Sequence, residues 1–209
     1  MKILMICGSP RPQKSTSQYL LNALKERLDH KNEVLIYQAV GAKSNGEQAI
    51  LENIEDTSVI VLAFPLYVDG IPGSLLRMMN NIEAQIKEHK IDCKLYVIAN
   101  NGFYDARQNT IAIDMAWKWC EKCGMKKGRA IGVGAGEMVQ AAPLGVGPSK
   151  NLGGVIDQLT EDISSRSSGE TIFVEPNFPR FLYKIAAHSG WHRSAKKNGL
   201  KIDDIKKQM

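Results

Sequence analysis

Apolar residues along this chain fall in short, dense, β-branched runs separated by stretches with helical spacing. Residues 2–7 (KILMIC), 33–38 (EVLIYQ), 58–65 (SVIVLAFP) and 92–100 (DCKLYVIAN) read as strands, and a fifth lies within 126–136 (KKGRAIGVGAG). Between them, residues 15–29 place Tyr19, Leu20, Leu24 and Leu28 at helical spacing, and 46–56, 72–86, 106–124 and 152–169 repeat the pattern. Pro72 stands near a helix start, where its missing N–H costs nothing. Gly124 closes a helix. Strands alternating with helices predict an α/β fold, and the continuously apolar third and fourth strands predict a sheet covered on both faces. The length suits a flavodoxin-like doubly wound sheet of five parallel strands, order 2-1-3-4-5. After residue 170 the pattern breaks into helical fragments with no sixth strand. The expected division is a domain over 1–175 and a C-terminal helical extension over 176–209, packed on the domain or on a second subunit.

Charge changes little in this picture. The net charge of +5 would suggest nucleic acid, but residues 191–209 carry +4, leaving +1 for the first 190. The basic excess is a property of the C-terminus, and no nucleic-acid partner is expected. No apolar run reaches membrane-spanning length and the N-terminus lacks a signal-peptide pattern, so no membrane association is expected. With four cysteines among 209 residues, a cytoplasmic location without a disulfide framework follows.

In an open parallel sheet, ligands bind outside the carboxyl ends of the strands, where strand order reverses. The loops there hold unusual sequences. The first, GSPRPQKSTS, joins Gly8, the hydroxyls of Ser9, Ser15, Thr16 and Ser17, and the cation of Arg11 to the start of a helix without acid until Glu26. Open N–H groups, a helix dipole and a guanidinium suit a phosphate. The bland alternative is a helix cap at Ser15 or Thr16. The second loop, FPLYVDGIPGS, ends its strand at Pro65 and sets Leu66, Tyr67 and Val68 as an apolar shelf on which a flat ring can stack. The third, NNGFYDARQN, offers close backbone approach at Gly102 and ring surface at Phe103 and Tyr104. Together they describe a ligand with a phosphate tail and a flat head.

These three loops, in this order and spacing, resemble the flavodoxin-like NAD(P)H-dependent FMN reductase and oxidoreductase family. CGMKKGRAIGVGAGEM, PLGVGPSKNLG and RFLYKIAAHSGWHRSAKKNGL further resemble its clostridial-type members, extending the likeness over nearly the whole chain. The resemblance implies an FMN phosphate held by Ser9, Arg11, Ser15, Thr16 and Ser17. It implies Pro65, Leu66 and Tyr67 beside the ribityl chain and ring, and Asn100, Gly102 and Phe103 at the ring's edge. Lys14-Ser15-Thr16 stands where relatives often carry Gly-Asn-Thr. The implied activity is hydride transfer from NADH or NADPH through FMN to a small acceptor: a quinone, a nitro or azo compound, a flavin, a metal ion or dioxygen. It requires no catalytic side chain. A homodimer is implied.

Other readings fit less well. There is no G-x-x-x-x-G-K-[ST]. Gly132, Gly134 and Gly136 are followed by Glu137 where a dinucleotide fingerprint needs glycine, so a backbone turn is the better reading. Cys120 and Cys123 form a C-x-x-C at a helix C-terminus with no second pair, which points to packing rather than a metal or redox site. A response-regulator receiver lacks its acidic residues here. A non-enzymatic electron carrier of the flavodoxin kind, and a flavin-binding regulatory protein, remain as alternatives. The connection 134–151 is long, glycine-rich and at the ligand end, as functional loops often are.

Overall fold

The computed structural model describes residues 1–11, 14–28, 30–39 and 45–201. Its strands are β1 (Lys2–Cys7), β2 (Glu33–Gln38), β3 (Thr57–Pro65), β4 (Lys94–Asn100), β5 (Lys126–Val133) and β6 (Ile172–Val174). Its helices are α1 (Thr16–Leu28), α2 (Asn45–Asn53), α3 (Gly73–Glu88), α4 (Thr110–Lys122), α5 (Lys150–Ser165) and α6 (Arg180–Lys197). All strand pairs are parallel, in the order β2-β1-β3-β4-β5-β6.

The expected doubly wound α/β order is therefore present, with one correction. A sixth strand lies beyond residue 170 and pairs through Ile131 with Ile172 and Val133 with Val174. Three residues at a sheet edge are too few for a period of two to register, and two of them are only half-buried.

Side chains alternate between the two sheet faces. Leu4, Ile6, Ile60, Leu62, Phe64 and Val97 join the core under α2, α3 and α4. Ile3, Met5, Val59, Val61, Ile98 and Ile131 join the core under α1 and α5. Burial on both faces explains why β1, β3 and β4 read as continuous apolar runs rather than alternating ones.

Helix ends follow local chemistry. Gly124 takes φ +71° directly after α4, and its N–H donates to Glu121 O. The helix expected from residue 106 opens instead as a 3-10 turn, Ala106–Asn109, because the Asp105 carboxylate accepts from the Arg107 N–H at 2.9 Å. The 134–151 connection holds two short 3-10 turns, Gly136–Ala141 and Gly147–Ser149. The chain divides into two compact units, Met1–Pro176 and Asn177–Met209. Among the described residues, no helix is long and apolar enough to cross a membrane.

Candidate functional site

Parallel strands end at one edge of the sheet, so the loops after the neighbouring strands β1, β3 and β4 emerge side by side. The first begins at Gly8, whose N–H donates to Ala63 O at 2.8 Å. A Cβ here would lie 2.5 Å from Leu75 Cδ2 and 2.9 Å from Phe64 Cβ, and φ is not positive. Glycine serves this position by leaving room for α3, not by permitting an unusual turn.

Ser9 is buried, and its Oγ accepts from the Arg11 N–H at 3.2 Å. Arg11 is exposed, with no ion pair to its guanidinium among the described residues. Ser15 Oγ accepts from the Gln18 N–H at 3.1 Å, the bond of a helix N-cap. Thr16 Oγ1 donates to Gly136 O at 2.8 Å. Ser17 is fully buried, and its Oγ accepts from Asn100 Nδ2 at 2.8 Å.

These contacts sort the hydroxyls by what they have left. Thr16 has spent its only proton inside the chain, whereas Ser15 accepts from Gln18 and makes a second contact, with Cys7 Sγ, in which either group can donate. With Gln18 capped, the N–H groups of Thr16 and Ser17 have no hydrogen-bond partner among the described residues, at the positive end of α1, whose first turn contains no acid. Cys7 lies beneath the loop, with Sγ 3.9 Å from Ser15 Oγ. Burial pushes its thiol pKa up, so it stays neutral and sets no charge against an anion.

At the end of β3, Leu66 N–H donates to Asn100 O at 2.7 Å. Tyr67 and Gly70 exchange backbone hydrogen bonds around Val68 and Asp69, which take φ +49° and +59°. Pro65 is half-buried and Tyr67 is 46% exposed. After β4, Phe103 stands 62% exposed while its N–H donates to Asn101 Oδ1 at 2.8 Å. A Cβ placed on Gly102 meets nothing within 4 Å, so its backbone is approachable from outside.

Asn100 itself is buried, and Nδ2 donates to both Ser17 Oγ and Phe64 O. One amide thus braces the ends of β3, β4 and α1. A fourth participant is the turn after β5, part of the 134–151 connection expected at the ligand end, although none of its residues was singled out for the site. Gly136 N–H donates to Asn101 O at 2.7 Å, and Ala135, at φ +48°, donates to Phe103 O. A Cβ on Gly134 would sit 2.2 Å from Tyr104 O. The alternating glycines 132, 134 and 136 were the available signal.

An exposed guanidinium beside the N–H groups of an acid-free helix start suits a phosphate. Exposed rings at the two neighbouring strand ends suit a flat conjugated ring. No cluster of metal-ligating side chains occurs among the described residues. All four cysteines are free and buried. Burial pushes Cys93 and Cys123 up to about 12 and Cys120 to about 11, which fits packing rather than redox chemistry at the C-x-x-C.

Comparison with known proteins bears on these loops. Residues 1–103 match the model of the NADPH-dependent FMN reductase family. The likeness drawn from the sequence reached further, but the family model stops at Phe103. No curated protein matches. Among solved structures, an NADPH-quinone reductase from P. pentosaceus is 15% identical, covering 78% of this chain and 97% of its own, with TM-score 0.56. A Streptococcus pneumoniae TIGR4 flavodoxin is 10% identical, covering 79% and 99%, with TM-score 0.55. An FMN-dependent NADH-azoreductase from Bacillus anthracis, solved with FMN, is 14% identical, covering 80% and 100%, with TM-score 0.53. At these identities the structures establish the flavodoxin-like fold. Every loop residue from Ser9 to Phe103 lies inside the stretch that matches the NADPH-dependent FMN reductase family model.

Proposed function

We propose that the protein carries electrons from NADH or NADPH through FMN to a small organic acceptor such as a quinone or an azo or nitro compound. The family match over residues 1–103 supports an NAD(P)H-dependent FMN oxidoreductase. The acceptor class is supported by the quinone reductase and azoreductase that share its fold. Bound FMN supplies the hydride-accepting ring.

The protein's part is placement. Arg11, the Ser15 hydroxyl and the N–H groups of Thr16 and Ser17 hold the phosphate. Ser9 shapes the loop through the Arg11 N–H. Thr16 Oγ1 and Ser17 Oγ lock the loop to Gly136 and Asn100. Pro65, Leu66 and Tyr67 flank the ribityl chain and ring, and the backbone at Gly102 and the Phe103 ring line its edge. Asn100 acts from behind as a brace. No side chain is asked to move a proton.

The observation that carries this reading is the cationic, acid-free start of α1 lying between strand ends that expose Tyr67 and Phe103. Four unpaired, buried cysteines support work in the reducing cytoplasm. The working unit is a homodimer; exposed Phe181, Ile185 and Trp191 on the acid-free helix α6 support a second subunit. Denaturing the purified protein and chromatographing the released ligand tests the cofactor assignment: FMN is expected, whereas FAD, or no uptake of added FMN, contradicts it.

A further inference from the structure

A nicotinamide dinucleotide is anionic, yet the loops around Tyr67 and Phe103 carry exposed carboxylates: Asp69 beside the Tyr67 shelf, and Glu137 next to the Gly136 turn that binds Asn101. A fixed cation stands further along the strand order, on the side of Phe103 away from Arg11. Phe173 of β6 is half-buried and pairs with Gly132 of β5. A Cβ on Gly132 would lie 2.6 Å from Phe173 Cδ1, so the missing side chain is what lets the ring lie against the sheet. The Arg107 guanidinium lies 5.2 Å from the centroid of that ring. Arg107 is exposed and has no ion pair among the described residues. Its backbone is fixed as well: its N–H donates to Asp105 Oδ1 at 2.9 Å, and its carbonyl accepts from Thr110 Oγ1 at 2.6 Å.

We propose that Arg107, stacked on Phe173, binds a phosphate of the nicotinamide dinucleotide while the nicotinamide lies on the flavin ring between Tyr67 and Phe103. Charge and position select this role. Stacking leaves the edge of the guanidinium, with its forked donors, free for phosphate oxygens. The turn that carries Arg107 leads into α4, whose first turn contains no acid, so the helix dipole adds potential of the same sign. Two strand spacings separate β6 from β4, about 10 Å, so one nucleotide can join the ring to the cation. Asp69 and Glu137 repel phosphate on the other approaches and steer it over β5 and β6. Arg11 stays with the FMN phosphate, at the opposite end of the row of loops. Arg107 lies beyond residue 103, where the family match ends. The inference deepens the hydride-transfer reading above and rests on it.

The test compares wild type, Arg107→Ala and Arg107→Lys as full-length, FMN-loaded protein. Steady-state kinetics use NADPH and NADH, and calorimetric titrations use NADP+ and NAD+. Arg107→Ala truncates an exposed side chain and leaves the core intact. It is expected to raise KM and the calorimetric Kd roughly tenfold to a hundredfold, the worth of a charged hydrogen bond, with kcat and FMN content unchanged. Arg107→Lys keeps the charge without the planar fork and is expected to recover part of the loss. A loss confined to NADPH and NADP+ assigns the 2′-phosphate, and equal losses for both dinucleotides assign the pyrophosphate. Unchanged KM and Kd in Arg107→Ala overturn the proposal, as does a fall in kcat or FMN content with KM and Kd unchanged. A wild type whose flavin neither nicotinamide reduces overturns the hydride-transfer reading, and the titrations then decide Arg107 by themselves. A wild type that binds neither NADP+ nor NAD+ overturns the Arg107 site as well.

Discussion

Arg11 is the residue on which the phosphate assignment turns. Arg11→Ala is expected to weaken FMN roughly tenfold to a hundredfold, the worth of a charged hydrogen bond, and to leave riboflavin nearly unaffected. Fluorescence titration with both flavins measures it; equal losses would contradict the assignment. The buried thiols give a second expectation. Cys93 and Cys123 ionise ordinarily near 9.0 and are pushed up to about 12 by burial. An acid whose folded pKa is raised has its stabilising effect intact below the unfolded pKa and loses it as pH rises toward the folded value. Stability in urea melts should therefore fall between about pH 9 and 12. At neutral pH a thiol reagent should label four cysteines only after unfolding. Residue types were legible in the sequence at this scale, but their employment was not. Nothing in KSTS says that Thr16 spends its proton on Gly136, 120 positions away, or that Ser17 turns inward to Asn100.

At the scale of elements, the loops act as one cross-braced unit. Asn100→Leu removes two buried hydrogen bonds and leaves Phe64 O without that donor, at a cost of about 1–3 kcal/mol. FMN affinity should fall as well, since the start of α1 loses its tie to β4; unchanged stability in urea would contradict the bracing role. Gly8→Ala forces a methyl group onto Leu75 and Phe64, an overpacking expected to cost about 1–3 kcal/mol in the same measurement. The strands and helices of the doubly wound part were legible because each is long enough for its period to show. β6 was not, because its three residues gain their structure from pairing with β5. The turn at Gly134–Gly136 was visible as a glycine cluster, while its contacts with the β4 loop are tertiary and leave no local pattern.

For the whole molecule, both core clusters fall between Ile3 and Val174, so the first unit carries its own core. A chain ending at Pro176 is expected to unfold cooperatively and to retain FMN; a non-cooperative melt would show that the remainder is needed for folding. Residues 177–209 hold +6 of the chain's charge, leaving −1 for the first unit, so the basic excess belongs to the C-terminal segment. The central claim is that reduced nicotinamide delivers hydride to FMN held by these loops. The most direct measurement is anaerobic mixing of the FMN-loaded protein with NADH or NADPH, followed in the visible spectrum. Bleaching of the flavin absorbance by at least one of them, with recovery on adding a quinone or azo compound, is the predicted result. A flavin that stays oxidised with both nicotinamides would contradict the account and favour a carrier or a flavin-binding regulator.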